Sequence, residues 1–239
     1  MLSLVLPERC IHCGRPTVAA ERLAFRPPTD SASLKKYLCA VCHAEFDRMP
    51  IPDPALLMDR AMPLTSIECI TSVRAQVYFI KDSLIQSIVH SFKYGEMPRL
   101  VRAAGASVAL KALACKNEID AIIPVPLHRT REAERGFNQS EELAAGIGAG
   151  FKIPLLSHKV IRRVRPTRSQ AQLTVAERLE NVQGAFRRTK RADELLRGKR
   201  LLLVDDVLTT GSTISAVASE LQLAQPASIQ VLVFAVAAA

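Results

Sequence analysis

Asp205 and Asp206 stand side by side at the end of an apolar run. Three residues later comes Thr209-Thr210-Gly211-Ser212-Thr213. Adjacent carboxylates accept hydrogen bonds from vicinal sugar hydroxyls, directly or around a bound cation. The hydroxyl-rich stretch leads into a helical pattern, and a helix start offers unpaired backbone amides and a positive dipole end to a phosphate. Gly211 lets the backbone approach closely. The segment reads as a site for sugar plus phosphate. Two other readings stay open on the residues alone: a paired-Asp Mg²⁺ site of a hydrolase, and a capped, solvated loop.

Arg129, Arg131 and Arg135 follow the apolar run Ala121 to Val125. Guanidinium forks suit phosphate oxygens; the alternative is a helix-start cluster of ion pairs with Glu132 and Glu134. Asn138 and Gln139 either orient a ligand or cap the next helix, and capping is the favoured reading.

Cys10-Ile11-His12-Cys13 and Cys39-Ala40-Val41-Cys42 are two knuckles separated by 25 residues. Four thiolates from two such knuckles make the tetrahedral set that zinc favours. A segment of that size buries little core, so a structural metal would supply folding energy. His12 and His43 adjoin ligand cysteines, but four thiolates suffice, and a closed site has no catalytic position. Cys69 and Cys115 lie among apolar neighbours and read as small core residues.

The elements that must position these groups alternate. Val73 to Ile80 reads as a strand. Asp82 then caps a helix with Leu84, Ile85, Ile88, Val89 and Phe92 at helical spacing. Leu100 to Ala114, Ser140 to Ala149, Thr174 to Val182 and Thr213 to Leu223 read as helices. Ala121 to Val125, Val160 to Val164, Leu201 to Val204 and Ile229 to Val236 read as strands. Alternation of this kind implies a parallel sheet covered on both faces, an α/β fold. Pro50, Pro52, Pro54 and Pro63 mark a junction. The expected organisation is a metal module at 1–48, a proline-rich linker at 49–64 and an α/β domain at 65–239.

The net charge is +9, and residues 128–200 carry all of it: 17 basic against 8 acidic residues, while the rest of the chain balances at 15 of each. A concentrated basic surface attracts phosphate-bearing ligands, nucleotides or nucleic acid. No apolar run reaches the ~20 residues of a membrane span, and Met1 to Arg15 lacks the pattern of a signal peptide. The expected location is the cytoplasm.

The segment Leu201 to Thr213 resembles the phosphoribosyl pyrophosphate signature of type I phosphoribosyltransferases. The resemblance implies that Asp205 and Asp206 hold the ribose 2′ and 3′ hydroxyls, with Mg²⁺ accompanying the ligand. It also implies that Thr209, Thr210, Gly211, Ser212 and Thr213 wrap the 5′-phosphate. Two further motifs narrow the match. One runs from Ile122-Ile123-Pro124-Val125-Pro126-Leu127-His128-Arg129 to Arg135-Gly136-Phe137-Asn138-Gln139. The other runs from Arg163-Val164-Arg165-Pro166-Thr167-Arg168-Ser169-Gln170 to Arg178, Asn181 and Gly184-Ala185-Phe186. With the cysteine pairs, these resemble the ComF family of DNA-uptake and DNA-utilisation proteins over nearly the whole chain. The arginine loop would then meet the pyrophosphate, and Arg165, Thr167 and Gln170 would belong to a mobile loop over the site. Lys93, in the motif Lys93-Tyr94-Gly95, would face phosphate. The chain departs from the family where Glu96 and Gln225 replace usual glycines, and in its Ala237-Ala238-Ala239 end.

The resemblance implies a protein that binds phosphoribosyl pyrophosphate and handles single-stranded DNA, in association with DNA-uptake machinery or in the use of DNA as a nutrient. With no Trp, 3 Tyr and 8 Phe, DNA contact would be mainly electrostatic and steeply salt-dependent. The alternative is an active phosphoribosyltransferase that moves phosphoribose to a nucleobase. No general base is evident for it, and no segment reads as a hood over an acceptor.

Overall fold

The computed structural model describes residues 9–17, 34–60, 64, 67–112, 119–166, 177 and 181–237. Four parallel strands form the main sheet among these residues: β1 (Ile70–Phe79), β2 (Ala121–Pro124), β5 (Arg200–Leu208) and β6 (Ser228–Ala237), in the order β1-β6-β5-β2. A two-stranded antiparallel ribbon, β3 (Ile161–Arg163) with β4 (Phe186–Arg188), stands apart. The helices are α1 (Ala40–Arg48), α2 (Pro54–Arg60), α3 (Leu84–Tyr94), α4 (Pro98–Ala112), α5 (Arg129–Arg135), α6 (Gln139–Phe151), α7 (Ser157–Val160), α8 (Ala192–Leu196) and α9 (Ser212–Gln222).

The α/β expectation holds, and the reason is visible in β5. Leu201 to Val204 is fully buried because both faces of the sheet are covered. Leu202 and Val204 join Leu232, Phe234 and the apolar stripe of α3 in one core. Leu201 and Leu203 join Val231, Val233 and the inner side of α9 in the other.

Several boundaries differ from the sequence expectations. The cap of α3 is Ser83, not Asp82: Ser83 Oγ accepts from the Gln86 amide. Asp82 has φ 58°, and its own N–H donates to Gln86 Oε1. The Ser83-x-x-Gln86 spacing is a capping box shifted by one residue. Helix α4 opens at Pro98, where a proline's missing N–H costs nothing. Strand β4 was not foreseen, since three residues show no periodicity. Most of the expected helix Thr174 to Val182 lies outside the described residues, as do Thr167, Gln170 and Cys115.

Two close approaches set the frame. A Cβ on Gly105 would lie 2.2 Å from the Leu143 carbonyl oxygen, and one on Gly146 would lie 2.1 Å from that of Arg102. Glycines thus let α4 and α6 touch backbone to backbone. The N-terminal module is also seated on this core: Phe46 stacks on Phe234 with ring centres 6.2 Å apart. Helix α2 occupies the proline-rich stretch, and its Leu57 is buried in the opposite core with Leu64.

Candidate functional site

Strand β2 ends at Pro124, paired with Val204. Strand β5 runs on for four residues against β6 alone, with Asp205 opposite Val233 and Leu208 opposite Val236. The two aspartates therefore sit past the end of β2, outside the carboxyl ends of the strands, where open α/β sheets bind ligands. A cleft of about 660 Å³ opens there, within the range of small-molecule sites.

Asp205 and Asp206 line this cleft. Ser140 Oγ donates to Asp205 Oδ1 at 2.7 Å, and the Asp206 N–H donates to the same oxygen at 2.9 Å. Burial pushes the Asp205 carboxyl up to about 7, and the Asp206 charge adds to it. The two hydrogen bonds and the Lys93 charge oppose the rise. Lys93, on the last turn of α3, places Nζ 3.4 Å from Asp206 Oδ2. The sequence reading aimed Lys93 at phosphate; in this structure it holds a carboxylate at the cleft wall.

Thr209 and Thr213 line the cleft as well. Between them Thr210 and Ser212 share a hydroxyl hydrogen bond of 3.1 Å. Gly211 caps α9 with φ 77°, a left-handed conformation that other residues enter at a cost. Its carbonyl receives the first helical bond, from the Ser215 N–H. The turn thus brings the first turn of α9 to the same cleft as the carboxylates.

Opposite this loop, Arg131 and Arg135 line the cleft, while Arg129 is exposed and lies outside its lining. Arg131 also pairs with Glu134 at 3.2 Å, so the ion-pair reading accounts for part of its placement. Arg135 donates to Gln139 Oε1 at 3.1 Å. Asn138 caps α6 through the Ser140 N–H, and its Nδ2 donates to the Val125 carbonyl. Capping is therefore the role of Asn138, as read, while Gln139 points elsewhere.

Sequence reasoning missed His90, and it named Arg163 and Tyr94 only as members of motifs, without placing either at the cleft. Arg163 lines the cleft and lies 5.2 Å from the centre of the Phe186 ring. Burial lowers its pKa, and the charge of Asp205 counters that. The signal was available, because Arg163 opens the second basic motif. His90 and Tyr94 face the cleft one turn apart on α3, with ring centres 4.6 Å apart. Their i, i+4 spacing was legible, and the expectation for Lys93 already pointed to that side of the helix. Arg165 donates to the Asn181 and Gln183 carbonyls.

The four cysteines converge. The Sγ atoms of Cys10, Cys13, Cys39 and Cys42 all lie within 4.8 Å of one another. Cys13 is 3.6 Å from both Cys39 and Cys42. Thiolates around a tetrahedral zinc at ~2.3 Å would stand about 3.8 Å apart, so the donor set fits. Burial opposes ionisation of Cys10, yet backbone amides, that of Cys13 foremost, bring its thiol down to about 7. His12 turns to Ser87 Oγ at 3.0 Å, and His43 pairs with Asp47. The four thiols could hold a metal such as zinc. Among the described residues no helix is long and apolar enough to cross a membrane.

A family model for the phosphoribosyl transferase domain matches residues 133–239. Competence protein F of Haemophilus influenzae is 37% identical over 112 residues, covering 47% of this chain and 48% of that protein. DNA utilization protein YhgH of Escherichia coli K12 is 29% identical over 152 residues, covering 62% and 65%. Competence protein ComFC of Streptococcus pneumoniae is 27% identical over 219 residues, covering 87% and 91%. The first two matches thus span about half and just under two thirds of those relatives. The chain is thus similar to competence and DNA utilization proteins, with a phosphoribosyl transferase domain matched at residues 133–239 and a cluster of four cysteines at its N-terminal end.

Proposed function

We propose that the cleft binds phosphoribosyl pyrophosphate together with Mg²⁺, and that the protein handles single-stranded DNA in the cytoplasm during DNA uptake or DNA utilisation. The observation that carries the ligand reading is the meeting of Asp205 and Asp206 with the Thr209–Thr213 turn at one strand end. Carboxylates suit the ribose hydroxyls, and the amides and hydroxyls at the start of α9 suit the 5′-phosphate. Arg131, Arg135 and Lys93 supply positive charge for the pyrophosphate, and Arg129 joins them if α5 turns on binding. When bound, Mg²⁺ would neutralise part of the diphosphate charge. In this reading residues 1–48 form a zinc-stabilised module, 49–64 a junction, and 65–239 the ligand domain. Arg165, Thr167 and Gln170 belong to the segment that covers the bound ligand.

The DNA part rests on the names of the relatives and on charge. Lys159, Arg162, Lys190, Arg191 and Lys199 are exposed in the basic region, and such a surface tracks a phosphate backbone. Calorimetric titration with phosphoribosyl pyrophosphate and Mg²⁺ tests the cleft. Asp205→Asn with Asp206→Asn should abolish binding, and unchanged affinity would sink the reading. A fluorescent oligonucleotide tests the DNA part. Its affinity should fall steeply between low and moderate salt, and a flat dependence would sink it.

The match to the phosphoribosyl transferase domain supports a second reading, transfer of phosphoribose to a nucleobase or related acceptor. Asp205 and Asp206 would then steady a ribose centre that gains positive charge as the pyrophosphate leaves. Absence of pyrophosphate release with a broad panel of bases would end that reading while leaving the binding role intact.

A further inference from the structure

Gln139 begins α6 and is 3% exposed. Its Oε1 is taken by Arg135 at 3.1 Å. Arginine has no acceptor, so this contact fixes which end of the amide is oxygen. The Nε2 group is then buried with no hydrogen-bond partner among the described residues, and Gln139 lines the cleft. Buried donors in native proteins are almost always paired. An orphan donor at a helix start, in a cleft that also holds Arg131, Arg135 and Arg163, is a donor waiting for an acceptor. Among the described residues the carboxylates of the cleft wall are Asp205 and Asp206, and these are already engaged by Ser140, by backbone amides and by Lys93.

We propose that Gln139 Nε2 donates to an oxygen of the diphosphate group of the cleft ligand, with Arg135 clamping the amide and facing the same group. This inference rests on the cleft reading above and adds a residue to it. Gln139 thereby separates ligands that carry a diphosphate from those that carry only the 5′-phosphate. The described chain leaves this donor unmatched, an arrangement expected of a binding residue and not of a structural one.

The full-length protein, Gln139→Met and Gln139→Glu are titrated by calorimetry with phosphoribosyl pyrophosphate, pyrophosphate and ribose 5-phosphate, each with Mg²⁺. Thermal melts are recorded without ligand. Methionine removes the orphan donor, while glutamate keeps an oxygen for Arg135 and lacks the donor. Both variants should bind phosphoribosyl pyrophosphate and pyrophosphate about tenfold or more weakly, with ribose 5-phosphate unchanged. The unliganded melting temperature of Gln139→Met should stay level or rise. Affinities within twofold of the wild type overturn the proposal, and so does an equal loss for ribose 5-phosphate. If neither variant folds, Gln139 is structural and the proposal fails. A wild-type protein that binds none of the three ligands defeats the cleft reading itself, a result independent of either variant.

Discussion

Ser140 Oγ donates to Asp205 Oδ1 at 2.7 Å. This bond joins the start of α6 to the end of β5, two elements 65 residues apart in sequence. It favours the ionised carboxylate against burial and against the Asp206 charge. Ser140→Ala should push the Asp205 carboxyl higher than its present value of about 7. A hydrogen bond to a charged group contributes roughly 1.5–3 kcal/mol, so affinity for phosphoribosyl pyrophosphate at pH 7 should fall about tenfold. Titrations across pH would show the binding midpoint moved upward. An unmoved midpoint would mean that the serine only packs.

A carboxyl raised from 3.8 to about 7 binds its proton more tightly in the folded chain than in the unfolded one. Between these values the folded state carries the extra proton, so its contribution to stability declines as pH rises through that window. Asp205→Asn removes the ionisation. The unliganded variant should melt about 2–6 °C above the wild type at pH 8, and level with it near pH 4, while losing ligand affinity. A lower melting temperature at pH 8 would contradict the burial argument. For the wild type, affinity should rise as pH passes through about 7 and level off above it, because the ligand's hydroxyls need the ionised form.

Much of this was legible in the sequence, and the rest failed for identifiable reasons. The apolar run Leu201 to Val204 announced a buried strand, and the spacing of Leu84, Ile85, Ile88, Val89 and Phe92 announced the inner face of α3. The cysteine pairs announced a cluster, because four thiols at that spacing have few other uses. The extension of β5 through both aspartates was not legible, since acidic residues ordinarily end a strand. Here β6 continues beside them and holds the backbone. Arg163 was legible as the first residue of the second basic motif, but its place at the cleft was not, because that depends on β4, a strand of three residues. Gln139 was read as a cap because Asn138 and Gln139 are both amides, and only their hydrogen bonds separate the two roles.

The two positions where the family resemblance leads one to expect glycine both fall at left-handed backbone positions. Glu96, just past the end of α3, has φ 47°, and Gln225, in the turn before β6, has φ 54°. A helix C-terminus commonly places glycine there because a side chain costs about 1–2 kcal/mol in that conformation. Part of this is offset by the greater freedom of glycine in the unfolded chain. Glu96→Gly and Gln225→Gly should each stabilise the protein by about 0.5–1 kcal/mol, and together raise the melting temperature by about 2–6 °C. Denaturant melts at constant slope would measure it. A loss of stability in both variants would show that the side chains make contacts that outweigh the strain.

Cys42 and Phe46 lie one turn apart on α1, so one face of this helix carries both a metal-cluster thiol and the ring that stacks on Phe234. Phe234 in turn meets Phe92 edge-on at 5.0 Å. A bound metal would therefore orient the helix that closes one core of the sheet, and its loss should be felt beyond the module. Atomic absorption should find about one zinc per chain. Stripping it with a chelator, or Cys42→Ser, should lower the melting temperature of the whole chain by about 10 °C or more, in a single transition. Phe46→Ala should cost about 3–5 kcal/mol while leaving zinc bound, which separates the packing from the metal. If the stripped protein melts in two steps, with the upper one unmoved, the module is an independent appendage and Phe46 does not couple it to the sheet.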